Sequence, residues 1–320
     1  MRQIKVIVLL LIMTLLCVSC EKQESRYEYL INAEPEYLTT IVSESYKLKE
    51  LSPEQTHLEQ PNGILCRDQD ILVCDGGRNS VVQLSLEGEF LGEIGRLGMG
   101  ELEFNRPTGI TSYQGHIYVI DSKNHRIQEL NEDLTFLQSF LLPDFGGNES
   151  FYFVDIAIDP NGNIYASSNN YDKHDQLIRL SESNEWINIS DSFVGFLDSY
   201  DGRLYGINSM ELYTIKDGFG MMPGENKIYA LDEKSTSEVA PLPFKYTAQD
   251  FIARDDCFYT LSRAWSSIDE FESNGTYRQT IVQFPDYEAD YQYCNIDSLG
   301  NFWVTSRNRS TLYLIQKNEW

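Results

Sequence analysis

Ile117-Tyr118-Val119-Ile120-Asp121 is the stretch whose reading decides the fold. It is apolar, carries an aromatic, and lies between the turn formers Gln114-Gly115 and Ser122-Lys123-Asn124, which is the signature of a short buried strand. The same rhythm returns as Ile71-Leu72-Val73-Cys74-Asp75, Ile164-Tyr165-Ala166-Ser167, Leu204-Tyr205-Gly206-Ile207, Phe258-Tyr259-Thr260-Leu261 and Phe302-Trp303-Val304-Thr305. Successive copies begin 46, 47, 40, 54 and 44 residues apart. Self-similarity at that period fits one four-stranded propeller blade per copy. The expectation is an all-β chain: a six-bladed β-propeller with four-stranded antiparallel blades.

Working outward, each copy has an apolar segment before it and one after it, and the first five have a fourth. The sixth copy stops after three strands. Tyr46–Leu51 precedes the first copy, and its alternation of Tyr46 and Leu48 with Lys47 and Lys49 reads as a half-exposed strand. Donated to the last blade, it would close the ring and hide the open edges. The expected domains are a leader over 1–19, a tether over 20–45 and the propeller over 46–320.

The second copy carries a family resemblance. Gly95-Arg96-Leu97-Gly98-Met99-Gly100 leads through Pro107-Thr108-Gly109-Ile110 into Tyr118-Val119-Ile120-Asp121 and Asn124-His125-Arg126-Ile127. This stretch resembles an NHL repeat. The first copy keeps Gln60-Pro61-Asn62-Gly63-Ile64 and Asp75, whereas copies three to six keep only the strand rhythm. The whole chain resembles the six-bladed propeller lipoproteins with NHL-like blades of Gram-negative bacteria, most of which have no assigned function.

The N-terminus speaks to address. Arg2 and Lys5 precede an apolar run from Val6 to Val18 that is too short for a comfortable membrane span. The run ends at Cys17-Val18-Ser19-Cys20, which resembles a lipoprotein signal cut before Cys20, with Cys17 where Leu is usual. The expectation is a chain lipid-anchored through Cys20 in the cell envelope, at the outer membrane, on its periplasmic side or at the cell surface. The formal net charge of −24 disfavours nucleic acid and anionic headgroups. Cys66, Cys74, Cys257 and Cys294 have neither CxxC spacing nor a neighbouring His, so zinc is not expected and free thiols are.

Propeller geometry sorts the connections onto two faces. First-to-second strand turns such as Asp68-Gln69-Asp70, Gln114-Gly115 and Ser298-Leu299-Gly300 are short. The long connections, at 143–153, 169–176, 209–226, 263–267 and 285–293, share the opposite face. Sites sit preferentially on loops held by a rigid scaffold. The candidate ligand-binding residues there are Tyr171, Met222, Arg263, Trp265, Tyr287 and Tyr291, suited to stacking on sugars or holding peptide side chains.

Aligning the copies puts Asn62, Thr108, Asp155, Val194, Asp250 and Cys294 at the channel mouth. Asn62, Asp155 and Asp250 offer oxygens that suit calcium, and calcium-dependent six-bladed lactonases place acidic and amide ligands in this channel. No HExxH, G-x-S-x-G or phosphate-loop pattern occurs, and no catalytic residue is assigned. The leading expectation is a monomeric binding module, without cofactor, for a glycan, peptide or partner protein. The alternative is a metal-dependent, lactonase-like hydrolase or lyase.

Overall fold

The computed structural model describes residues 42–143, 152–169, 176–181, 183–190, 193, 195–215, 218–232, 235–242, 248–262, 265–286 and 288–318. The chain enters through β1 (Tyr46–Leu51) and a one-turn helix α1 (Pro53–Thr56). Blade 1 is β2 (Pro61–Cys66), β3 (Ile71–Asp75), β4 (Ser80–Leu84) and β5 (Phe90–Ile94). Blade 2 is β6 (Pro107–Tyr113), β7 (His116–Asp121), β8 (Arg126–Asn131) and β9 (Phe136–Leu141). Blade 3 is β10 (Tyr152–Ile158), β11 (Ile164–Asn169), β12 (Gln176–Leu180) and β13 (Trp186–Ser190). Blade 4 is β14 (Gly195–Tyr200), β15 (Arg203–Ile215), β16 (Gly218–Leu231) and β17 (Thr236–Pro241). Blade 5 is β18 (Asp250–Arg254), β19 (Cys257–Ser262), β20 (Ser267–Glu272) and β21 (Tyr277–Gln283). Blade 6 is β22 (Tyr291–Ile296), β23 (Phe302–Ser306) and β24 (Thr311–Lys317), with β1 as its outer strand.

Six antiparallel sheets of four strands result, as the repeat predicts. The anchor segments are the second strands, covered on both faces by neighbouring blades. Their continuous apolar runs follow from that double burial, and Ile71–Asp75 is buried at every position. The outer strands meet solvent on one side, so β5 and β9 mix half-buried and exposed residues. Cys66, Cys74, Cys257 and Cys294 are free thiols.

Closure is made by β1. It pairs with β24 in unbroken register from Tyr46↔Lys317 to Leu51↔Leu312, and the Asn318 amide donates to the Ser45 carbonyl. Leu51 has no exposed surface and joins the apolar cluster that includes Leu312 and Trp303. The closure ties the start of the propeller to its end by backbone hydrogen bonds and a buried side chain together.

Strand alternation gives the ring its polarity. The connection 209–226, expected as an irregular loop, is instead largely ordered strand. β15 and β16 continue past the blade as a ribbon with Met210↔Pro223, Leu212↔Met221, Tyr213↔Gly220 and Ile215↔Gly218 paired. The reason is compositional: Tyr213, Thr214, Ile215 and Phe219 favour strands. The ribbon rises from a second-to-third strand connection, so it stands on the long-loop face.

Two substitutions test the architecture. Leu51→Ala removes a buried side chain at the closure and is expected to cost about 2–5 kcal/mol, read as a lower urea midpoint. Gly63→Ala tests a tight contact between inner strands of adjacent blades, because a Cβ there would overlap the Thr108 carbonyl oxygen of blade 2. That carbonyl belongs to backbone, so relief requires moving a strand, and a loss of about 1–3 kcal/mol is expected. A wild-type midpoint in either variant contradicts the contact it probes.

Candidate functional site

The inner strands β2, β6, β10, β14, β18 and β22 surround the channel. Their pairs Ile64↔Val73, Ile110↔Val119, Ile156↔Ala166, Leu197↔Gly206, Phe251↔Thr260 and Cys294↔Val304 fix the true alignment of the six units. The residue just before each forms one ring: Gly63, Gly109, Asp155, Phe196, Asp250 and Tyr293. This corrects the alignment read from the sequence. Asn62 and Thr108 lie one residue upstream of the ring and Cys294 one downstream, while Val194 falls outside the described residues. The inner strands also differ in regularity, with a register irregularity in β2, β6, β10 and β22 but not in β14 or β18. Each is one extra inner-strand residue, invisible to a count along the sequence.

The ring is filled rather than open. Tyr293 reaches from blade 6 across the channel, and its hydroxyl donates to the Val154 carbonyl of blade 3, directly opposite. Phe196 meets the Tyr293 ring edge-on at a centroid distance of 5.4 Å. What is left is a cavity of about 70 Å³ lined by Asp155, Asp198, Asp250, Arg254 and Tyr293 among others. A small-molecule site ordinarily needs roughly 300–1,000 Å³.

Three carboxylates face this cavity, and each accepts a backbone amide from the next blade. Asp155 Oδ2 accepts from Leu197 at 2.7 Å, Asp198 Oδ2 from Ala253 at 2.8 Å and Asp250 Oδ2 from Cys294 at 2.7 Å. Asp198, one pleat deeper than the ring, was not singled out from sequence. Its signal is weak: an Asp two residues after the ring position, facing Arg254 at 3.6 Å. Asp155 and Asp250 are nearly inaccessible. Burial raises both carboxyls above the ordinary range, and the charge of Asp155 adds to the rise of Asp250. Burial also pushes Asp198 up to about 6, with Arg254 opposing the shift. Asp198 is enclosed by protein yet 28% exposed along the narrow channel, so water moderates its shift.

The other expected site residues separate. Asn62 is buried and donates Nδ2 to the Pro107 carbonyl at 3.0 Å, away from the Asp155–Asp250 cavity lining. Among the described residues no group of three His, Cys, Asp or Glu is placed to hold a metal ion. Of the expected set, Asp155 and Asp250 line one cavity and Asn62 stands apart from it.

Tyr291, expected on the loop face, has no exposed surface. Its ring stacks on Phe284 at 4.4 Å and its hydroxyl donates to the Asp286 carbonyl. It is core because it begins the inner strand β22 rather than ending a loop. Trp265 is half-buried at the edge of the apolar core, and its indole N–H has no partner among the described residues. Met222 lies on the β16 part of the ribbon, opposite Glu211. Tyr171, Arg263, Tyr287 and Cys20 lie outside the described residues.

Larger hollows lie on the short-turn face. One of about 720 Å³ runs between blades 1 and 2 beside Arg67, Asp70, Gln83 and Glu132, and one of about 320 Å³ between blades 3 and 4. The polar groups of the first are turned on one another: Arg67 bonds Asp70 and the Glu132 carbonyl, and Gln83 bonds Asp70.

Comparison with known proteins agrees with this fold. An NHL repeat matches residues 104–130, and no curated protein matches the chain. Similar solved structures include virginiamycin B lyase from Staphylococcus aureus, at 14% identity and TM-score 0.56 over 85% of this chain and 100% of that one. A luciferin-regenerating enzyme is 12% identical, with TM-score 0.61 over 85% and 95%. The calcium-binding protein regucalcin from Agrobacterium tumefaciens is 9% identical, with TM-score 0.58 over 81% and 90%. At these identities the likeness is one of fold.

The buried carboxylates predict a pH dependence. Their folded-state pKa values lie above the unfolded value of about 3.9, so on raising pH the unfolded chain releases these protons first. Stability contributed by the protonated forms is complete below about pH 4 and is lost as pH rises through the folded values, which for Asp198 is about 6. Asp155→Asn keeps an oxygen acceptor for Leu197 and removes one titration. Urea midpoints at pH 5 and 7.5 should fall less for the variant than for the wild type. Equal falls would show that Asp155 titrates normally.

Proposed function

We propose that this chain is an envelope-anchored binding module, held through a lipid on Cys20, that takes a glycan, peptide or partner protein on the long-loop face of its propeller. The observation that carries this reading is the plug: Tyr293 spans the channel to Val154, and Phe196 packs against it. A channel reduced to about 70 Å³ has no room for an organic substrate, and its carboxylates are engaged in joining blades. The long-loop face carries the β15–β16 ribbon and Trp265 with its unmet indole N–H. The indole N–H is itself buried, so it is the half-buried ring of Trp265 that would offer stacking area to a sugar or a peptide side chain.

The second reading is a lactonase-like hydrolase or lyase in the channel. It is favoured by the raised pKa values of Asp155 and Asp250, which suit general acid–base work. It requires the Tyr293 plug to move aside.

One set of assays separates the two. The full chain is screened on glycan and peptide arrays, and in parallel on lactones with and without calcium. Binding that falls at least about tenfold in Trp265→Ala, equivalent to roughly 1.4 kcal/mol, with no lactone turnover, is expected. Turnover abolished by Asp155→Asn would replace the binding reading with the enzymatic one. Undiminished array binding would remove Trp265 from the site. Incorporation of labelled fatty acid, lost in Cys20→Ala, is expected for the anchor; equal labelling of wild type and variant would refute it.

A further inference from the structure

The closing strand fixes where the propeller is held. β1 pairs its first residue, Tyr46, with Lys317, the last residue of β24. The Lys317 amide donates to Asn301 Oδ1 at 2.9 Å. Asn301 ends the Asp297–Asn301 turn between β22 and β23, closed by bonds from Gly300 and Asn301 to Asp297. That turn is one of the short first-to-second strand turns. Asn318 also bonds the carbonyls of Ser45 and Glu44. Tyr46 therefore stands at the short-turn rim of blade 6, and β1 runs from that rim up to Leu51. From there the chain crosses the long-loop face, where Ser310 Oγ donates to the Glu59 carbonyl, before descending into blade 1.

We infer that the short-turn face of the propeller is turned toward the membrane and that the long-loop face, with the β15–β16 ribbon and Trp265, is displayed away from it. This rests on the lipid-anchored reading of Cys20. The described chain first meets the ring where Val42 bridges Thr280 in the outer strand of blade 5 and the Ser43 amide donates to the Thr280 carbonyl. It then turns to the short-turn rim at Tyr46 and enters blade 6 through β1. A body held by a chain that enters its sheet at one rim turns that rim toward the point of attachment. The turns on that face carry exposed Asp68, Asp133, Asp201, Asp255 and Asp256. Their charge opposes flat adhesion to anionic headgroups, so the face is held near the bilayer by the tether rather than bound to it. A partner on the long-loop face then approaches from the open side, clear of the membrane.

The test is energy transfer from the propeller to a headgroup-labelled lipid in phosphatidylcholine vesicles. In a Cys66→Ser background, single dyes are placed at Asn161→Cys and Leu299→Cys on the short-turn face, and at Glu101→Cys and Glu288→Cys on the long-loop face. Each pair includes one position near blade 6 and one further round the ring, so tilt is separated from inversion. All four residues are exposed. Two arms are run: the lipidated full chain, and a chain with a hexahistidine tag replacing residues 1–20 on nickel-chelating lipid. Strands of five to seven residues separate the faces by about 20 Å, so both short-turn dyes should transfer about twofold more efficiently than both long-loop dyes. Equal or reversed ranking in an arm that binds vesicles overturns the inference. If the full chain fails to bind but the tagged chain keeps the ranking, the lipid assignment fails while the orientation set by β1 stands.

Discussion

The seam between adjacent inner strands is the constraint on which the rest of the structure depends. Each inner strand pairs with its own blade on one side only, and the other edge presents backbone groups that need partners. Every seam has a polar side chain that reaches the next blade's backbone. Asn62 donates to Pro107, Thr108 to Phe153 and Asn295 to Ile64. Asp155, Asp198 and Asp250 accept from Leu197, Ala253 and Cys294. Six seams are thus bridged by three neutral donors and three carboxylate acceptors. The acidic ones fall together on blades 3 to 5, which is why one side of the channel gathers buried negative charge.

This division explains the packing at the mouth. Where blades 1, 2 and 3 meet, the inner strands approach so closely that Gly63 has no space for a side chain and Gly109 has little. On the other side the strands stand further apart, and the gap is filled by Phe196, Tyr293 and the two ring carboxylates. The Tyr293–Val154 bond links opposite sides of the ring. It acts as a cross-brace where an open propeller would have solvent.

Much of this was legible in the sequence and some of it was not, for physical reasons. The anchor strands repeat because burial on both faces demands uninterrupted apolar residues, so blade number and boundaries could be read directly. The closing strand was legible from the incomplete last unit and the alternation at Tyr46–Leu51. The channel ring was misread by one residue at blades 1, 2 and 6, because which inner-strand residue faces the channel leaves no compositional mark. Tyr291 was misread because an aromatic at the start of a buried strand resembles one at the end of a loop. The β15–β16 extension was missed because the whole of 209–226 was read as one long connection.

The two readings of the channel differ in what they ask of the same carboxylates. For a metal or a substrate, Asp155 and Asp250 would have to offer their remaining lone pairs while still holding the Leu197 and Cys294 amides on Oδ2. They would also have to displace Tyr293 from Val154. A propeller that uses its channel for chemistry has reason to leave that ring lined by free polar groups, and this one fills it with two aromatics and closes it with a hydrogen bond. The residues that could recognise a ligand at less structural cost stand on the other side of the plug, on a face whose connections are not required to hold blades together. Under the proposed binding reading, the chemistry of the seams thus leaves recognition to the face opposite the one at which β1 enters.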